Sequence, residues 1–469
     1  MSALAASGSR VEAPTRLGRD VLLAYSLPSV GIQFAFLLLG LYFLKFATDV
    51  MGIAAGVVGM LFAVSRLWDA LADPIAGYLS DRTRSRFGRR RSWMAWSALP
   101  FGLAVWMLWY PPPGIQGVFA AAWVGAALLV FYSAYTALTV PYGALGAELS
   151  QDYHDRTRLF AWRQGIGAFG TLIGVGAYYL LLEAERGAGF SSRQVGLGVG
   201  VFASLCICVT TAVLVARVRE RSDYQERGPE RVFAAFGDVL RNPHAFRLLL
   251  VQGAHYFSVA VLSLVSAYVF QYVLHVPSGS AATMVACFAI GVVGAIPLWV
   301  VFSRRFGKHR CWSAALWLLS AVYALLFFVL DKGVSISGVQ FAIACAVTLL
   351  VGALQSSNFV LSSSVQADVI DWDEVRTGER KEGAYLATWS FAEKAASALA
   401  AALVGVALEW VGYTPNVEQT ESVRLMILGL MSFAPAVCHV VAALILMNFR
   451  LGEEEHARIR QELADRNHA

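Results

Sequence analysis

Apolar stretches recur along this 469-residue chain, separated by short polar connections. Twelve of them are long enough, at about 20 residues each, to cross the roughly 30 Å of hydrocarbon in a bilayer. They lie near 20–47, 54–80, 93–111, 117–147, 161–183, 196–217, 246–274, 280–302, 312–331, 336–365, 384–412 and 423–449. The connections alternate in charge. One set carries Arg82–Arg91, Arg156 and Arg158, Arg217–Arg247, Arg304–Arg310 and Arg376–Lys381. The other carries Pro111-Pro-Pro-Gly, Glu183–Arg193, His275–Ser280, Asp331-Lys332 and Gly412–Thr420, with few basic residues. Basic loops stay in the cytoplasm, so the pattern predicts an all-α membrane protein with an even number of spans and both termini cytoplasmic.

The long basic connection falls midway. It divides the chain into a tail (1–19), a six-helix bundle (20–217), a linker (218–245), a second six-helix bundle (246–449) and a charged tail (450–469). A short internal repeat supports the division. Arg86-Phe-Gly-Arg-Arg-Arg-Ser-Trp93 after the second span recurs as Arg305-Phe-Gly-Lys-His-Arg-Cys-Trp312 after the eighth, as two related halves would leave behind. Gly77-x-x-x-Asp81-Arg82 followed by Gly88-Arg89-Arg90 also resembles the loop signature of the major facilitator superfamily.

Composition narrows the function classes. The chain is 57% hydrophobic and 15% charged, where a soluble protein carries about a quarter charged residues. Its net charge of +5 is gathered in loops between spans, which speaks against nucleic acid as a partner. The six cysteines lie in or beside apolar runs without metal-ligand spacing. The first residues lack the apolar core and cleavage site of a signal peptide. There is no nucleotide-binding glycine loop, no His-Glu-x-x-His and no Gly-x-Ser-x-Gly, so the chain reads as a non-enzyme without cofactor, driven by an ion gradient.

Intramembrane charges are the candidate chemistry. Asp69 and Asp73 sit in an apolar run at i, i+4, one turn apart on one helix face, with Arg66 three residues before. Such charges cost about 2.5–3.5 kcal/mol at the bilayer centre and line ion or substrate paths. Two readings stand: an ion pair with Arg66 or a lysine, or a cation site whose oxygens hold Na+ or share a proton. Lys394, deep in the eleventh span, reads as facing a cavity rather than snorkelling to an interface. Glu393 points about 100° away from it and is left without a role. Arg163 suits an anionic or hydroxyl-rich ligand or an interfacial position equally. Lys45 and Asp49 read as interfacial. His255 reads as a hydrogen-bonded bundle residue, and the run Gln355-Ser-Ser-Asn358 with Ser362–Ser364 as helix glue or cavity lining.

At these residues the chain resembles the glycoside–pentoside–hexuronide:cation symporters of the major facilitator superfamily, the melibiose permease-like family. The matched pieces run in order: Tyr25 through Thr48-Asp49, the Arg66–Trp93 block, Val140-Pro141-Tyr142 with Glu148-Leu149, and Asp155-Arg156-Thr157-Arg158 leading to Arg163. They continue with Ala367-Asp368-Val-Ile-Asp371-Trp-Asp-Glu374, Thr377-Gly378 through Glu382-Gly383, Lys394, and Gly412-Tyr413-Thr-Pro-Asn.

The resemblance implies a fold, two sites and a gate. The fold is the major facilitator fold. Asp69, Asp73 and Thr136 match the family's cation site, and Lys394 and Arg163 match basic residues near the polar centre. Asp81, Arg82 and Arg89 belong to the loop that stabilises one state, and Asp368 and Asp371 to a cytoplasmic gating loop after the tenth span. Departures fall on the sugar site. Gln33 and Thr139 replace sugar-binding aspartates, Gly143 replaces the tryptophan that stacks on the ring, and Ala72 replaces an asparagine between the two carboxylates. The expectation is a cation-coupled (Na+ or H+) symporter importing a glycoside, uronide or oligosaccharide by alternating access, with Gln33, Thr139, Arg163 and Lys394 at the substrate. The alternative is a transporter of a lysophospholipid or other amphiphile, as in the sodium-dependent lysophosphatidylcholine symporters of the same branch. Either acts as a monomer in a bacterial inner membrane. A sensor would need an appended signalling domain, and a channel would not need the carboxylate pair opposite a lysine.

Overall fold

A computed structural model describes residues 17–149, 153–185, 191–220, 239–330, 338–378 and 382–447, with Gly237, Phe449 and Arg458 besides. The far ends of both expected tails, the middle of the linker (221–236) and the Asp331-Lys332 connection lie outside the described residues.

Among the described residues, twelve long helices follow in chain order. They are α1 (Arg19–Leu41, continued by Phe43–Asp49), α2 (Ala55–Arg82), α3 (Arg89–Trp109), α4 (Gly117–Glu148), α5 (Tyr153–Glu185) and α6 (Ser192–Arg217). After the linker come α7 (Pro243–Val273), α8 (Ser278–Phe306), α9 (Lys308–Leu330), α10 (Val339–Thr377), α11 (Glu382–Trp410) and α12 (Glu421–Met447). Prolines lie inside α2, α3, α4, α8 and α12, as they do more often in transmembrane than in soluble helices.

Eleven of these helices are apolar enough to span by composition alone. The remaining one, α3, opens on Arg89, Arg90 and Arg91, whose three backbone N–H groups donate to the Glu220 carboxylate at 2.8, 2.8 and 2.7 Å. A carboxylate on free N–H groups is the favoured partner of a helix N-terminus, so α3 starts four residues before its apolar run.

The internal repeat is realised in conformation. Gly88 and Gly307, each after Arg-Phe, take φ of 104° and 87°, left-handed values that a side chain resists, and each turns the chain into the next helix. Beyond each glycine a basic side chain pairs with an acid at the end of the helix after next. Arg89 and Arg90 meet Glu148 of α4 at 3.0 and 2.7 Å, and Lys308 meets Asp368 of α10 at 2.8 Å. Asp81 joins the first latch through Arg90 at 3.1 Å, while Arg82 lies over the Tyr78 ring instead. Asp368 and Asp371 are not on a loop, as the sequence suggested. α10 continues through Thr377, held by the Lys308 latch and closed by Gly378 in the left-handed region.

The halves meet unevenly. One apolar core joins α1–α6 to α7, α8, α11 and α12 on the face away from the arginine-rich connections. On the arginine-rich face each half closes on its own core, Leu22–Val218 in one and Val239–Phe449 in the other. A cleft between the halves therefore opens toward the basic face and is sealed at the far face. The two backbones approach closely across it where α2 and α11 cross, at Gly59 and Gly405. A Cβ on either would come within 2.5 Å of a backbone carbonyl, Ala401 O or Ala55 O.

Candidate functional site

The carboxylates of α2 lie at the floor of this cleft. Asp69 is buried and Asp73 keeps 27% of its side chain exposed. Thr136 of α4 reaches both, its Oγ1 at 2.8 Å from Asp69 Oδ1 and 3.1 Å from Asp73 Oδ1. A hydroxyl has one proton to give. Both contacts are full hydrogen bonds only when one carboxyl is itself protonated and donates to Thr136.

Lys394 of α11 crosses the cleft to the same pair. Its Nζ lies 2.6 Å from Asp73 Oδ2 and 3.0 Å from Asp69 Oδ2, the latter off the angle of a hydrogen bond. The ammonium therefore sits between the two carboxylates, and the ion pair ties the N-terminal half to the C-terminal half.

Two more charges complete the cluster. Arg66 lies over the Tyr132 and Phe36 rings at 4.9 and 5.6 Å and faces both Asp69 and Glu393. Glu393, left unassigned from sequence, sits within hydrogen-bonding reach of Tyr256 and in the field of Arg66 and Lys394. Both neighbours on α11 reach the α2 charges because the polar wall of the cleft covers more than a quarter turn of the helix.

The sugar-type residues form a separate wall on the N-terminal half. Arg163 lies 4.3 Å over the Tyr142 ring and beside Tyr25. Tyr25 and Tyr142 each donate to the other's backbone carbonyl, at 3.1 and 2.6 Å, and the Tyr142 hydroxyl lies 3.2 Å from Ser29 Oγ. Gln33 packs its stem against Gly167 of α5, and space is open beside Gly143. Thr139 donates its hydroxyl to Tyr135 O, four residues back on its own helix, at 2.9 Å and keeps its acceptor capacity. Lys394 is thus drawn to the carboxylates, and Arg163 to the tyrosines.

The far face holds a second ionic cluster. Lys45 and Asp49 are not interfacial: their side chains are 0% and 1% exposed and pair at 2.8 Å. Residues of the C-terminal half complete the shell of Asp49. Tyr413 donates to Oδ1 at 2.6 Å, Tyr272 to Oδ2 at 3.0 Å, and Asn416 Nδ2 to its backbone carbonyl at 2.8 Å. Thr48 Oγ1 and Tyr268 Oη add a contact at 3.0 Å. Burial and the neighbouring Asp49 push the Tyr413 phenol up, so it remains a donor at any working pH. The sequence signal was there, a carboxylate near a span end followed far downstream by Gly-Tyr-Thr-Pro-Asn, but nothing in one chain's pattern joins the two.

Residues 24–453 match the family described as MFS/sugar transport protein. An uncharacterised symporter, YjmB, of Bacillus subtilis (strain 168) is 27% identical over 467 residues, covering 97% of each chain. An isoprimeverose transporter of Lactiplantibacillus pentosus is 25% identical, covering 92% of this chain and 88% of its own. In fold, the crystal structure of a D-xylose–proton symporter superposes with a TM-score of 0.64 at 14% identity, over 92% of this chain and 97% of the other.

Proposed function

The chain belongs to the MFS/sugar transport protein family, and from that premise we propose that it is a cation-coupled symporter importing a glycoside, uronide or oligosaccharide by alternating access. The observation that carries the coupling is the Asp69–Lys394–Asp73 clamp, with Lys394 within 3.0 Å of both carboxylates. Three acids (Asp69, Asp73, Glu393) face two bases (Arg66, Lys394), which leaves the cluster one positive charge short of neutral. One monovalent cation, Na+ or H+, restores neutrality in a medium where uncompensated charge is costly. Asp69, Asp73 and Thr136 supply hard oxygens for Na+, and the single proton of Thr136 suits a carboxyl pair that shares H+.

The mechanism follows from the competition at this site. A cation entering between the carboxylates displaces Lys394, frees α11 from α2 at the cleft floor, and lets the halves rock about the Gly59–Gly405 crossing. In our reading the membrane is a bacterial inner membrane and the basic loops favour the arginine-rich face as its cytoplasmic side, which makes the cleft inward-facing, with Lys394 standing where the released cation stood. Substrate hydroxyls meet Gln33 and Arg163 on the opposite wall, with the space beside Gly143 free for a ring. Both walls come from one chain, so a monomer suffices.

Uptake into proteoliposomes tests this reading. A labelled glycoside should accumulate under an imposed Na+ or proton gradient, and Asp69→Asn should abolish accumulation while leaving exchange. Accumulation of a lysophospholipid with no glycoside signal would overturn the substrate class. Full accumulation by Asp69→Asn would overturn the coupling site.

A further inference from the structure

The interior of the C-terminal half holds polar side chains that the coupling site does not use. His255 of α7 and His439 of α12 are 3% and 0% exposed, with ring centroids 5.6 Å apart. Tyr323 of α9 stacks on His439 at 5.7 Å, and the Gln355 amide of α10 donates to the Tyr323 hydroxyl at 3.3 Å. One polar path thus threads four helices at mid-membrane depth. Its partners are incomplete. His439 Nδ1 is satisfied by Pro435 O at 2.7 Å, yet His439 Nε2, His255 Nδ1 and Gln355 Oε1 have no protein partner. The Ser432 hydroxyl and both amide atoms of Asn358 are buried and equally unpaired.

Pairing within the protein does not explain such a cluster. Left dry, its combined desolvation cost would rival the stability of a whole domain. The atoms include acceptors and donors of neutral groups only. The titratable groups facing the path are His255, His439 and Tyr323, from α7, α12 and α9, and the flanking α10 residues Gln355 and Asn358 are uncharged. A bare metal or sodium ion would find no anion there, whereas water satisfies donors and acceptors at once without adding charge. Tyr323 also lines a cavity of about 320 Å³ between α1, α7, α8, α9, α10 and α12 whose other walls are mostly apolar, so the polar path ends against free space there. At Asn358 the helix α10 gives way to a π-turn through Ser362, a wider turn that is frequent at functional sites.

We propose that this path is a binding site for a chain of internal water molecules, and that the bound water serves α10 as a hinge at Asn358–Ser362. Water exchanges hydrogen-bond partners without leaving, so the π-turn can change pitch as the halves rock while no buried polar atom is stranded. The role is distinct from cation coupling and does not depend on which solute is carried.

Radiolytic hydroxyl labelling of the full chain in nanodiscs tests it, because tightly bound water generates radicals beside buried side chains. Oxidation of His255, His439 and Tyr323, read by mass spectrometry, should proceed within tenfold of that of exposed residues. In Asn358→Leu the same sites should label at least fivefold more slowly and glycoside exchange should slow about tenfold. Ser432→Ala, a smaller change, should give the same direction if the leucine variant does not fold. Labelling of the three residues in the native chain at the level of the buried apolar-core residue Phe43 would overturn the proposal. So would unchanged exchange in a variant whose labelling has fallen.

Discussion

Lys394 competes for the position of the transported ion, and the consequence can be measured. Its ammonium lies 2.6 Å from Asp73 and 3.0 Å from Asp69. At an effective dielectric near 20, one charge pair at about 4 Å is worth roughly 4 kcal/mol, so removing the lysine raises the pull on any other cation strongly. Lys394→Ala should therefore bind Na+ or H+ at least tenfold more tightly while losing concentrative uptake, since nothing then drives the ion off. Calorimetric titration of the purified protein would measure the first effect and liposome uptake the second; weaker cation binding would contradict the competition. At this scale the sequence was informative where a charge stands alone in an apolar run. Asp69, Asp73 and Lys394 were legible for that reason. Glu393 was not, because helical geometry separates it from Lys394 by about 100° and only the breadth of the cleft wall brings both to α2. The bond that Thr139 makes was not legible either. A hydroxyl on a helix can always turn back to its own carbonyl at i−4, as it does here.

Helix crossings set what the charges can do. α2 and α11 run past each other at Gly59 and Gly405, where a side chain on either has no room. The lever between this crossing and the carboxylates is ten residues of α2, about 15 Å at helical rise. Small rotations there move Lys394 on or off its partners. Gly59→Leu should keep the protein folded as two bundles but splay the far side of the crossing, cutting exchange as well as accumulation, with loss of activity of tenfold or more in a counterflow assay. Wild-type counterflow in that variant would mean the crossing is not a pivot. The pattern of apolar positions gave the number and order of these helices but not their ends. α3 begins within its arginines because Glu220 covers its free N–H groups, and α10 runs to Thr377 because Lys308 latches Asp368. Both ends are fixed by partners distant in sequence, which hydropathy does not register. The repeated Arg-Phe-Gly, by contrast, announced two matching turns that the positive φ of Gly88 and Gly307 realise.

The whole molecule is held in one state by what closes its far face, and Asp49 is the centre of that closure. Its carboxylate accepts Tyr413 at 2.6 Å and Tyr272 at 3.0 Å from the opposite half. Hydrogen bonds to a charged group contribute about 1.5–3 kcal/mol each, so the two together hold roughly 3–6 kcal/mol of closure. About 5.5 kcal/mol is enough to take a two-state equilibrium from 1:99 to 99:1. Asp49→Ala therefore removes closure energy of the size that decides which face is open. It also leaves Lys45 buried without its anion, a further penalty borne only while the far face stays sealed, since an opened face lets water reach the ammonium. Both effects push the same way. Spin labels placed by Ala54→Cys and Val417→Cys, on exposed far-face segments of the two halves, should show one short distance population in the native chain and a longer one in Asp49→Ala. Tyr413→Phe, which loses one bond and keeps the ion pair, should fall between them. If the distance distribution is the same in all three, the seal rests on the apolar core alone, and the ionic cluster contributes packing rather than gating.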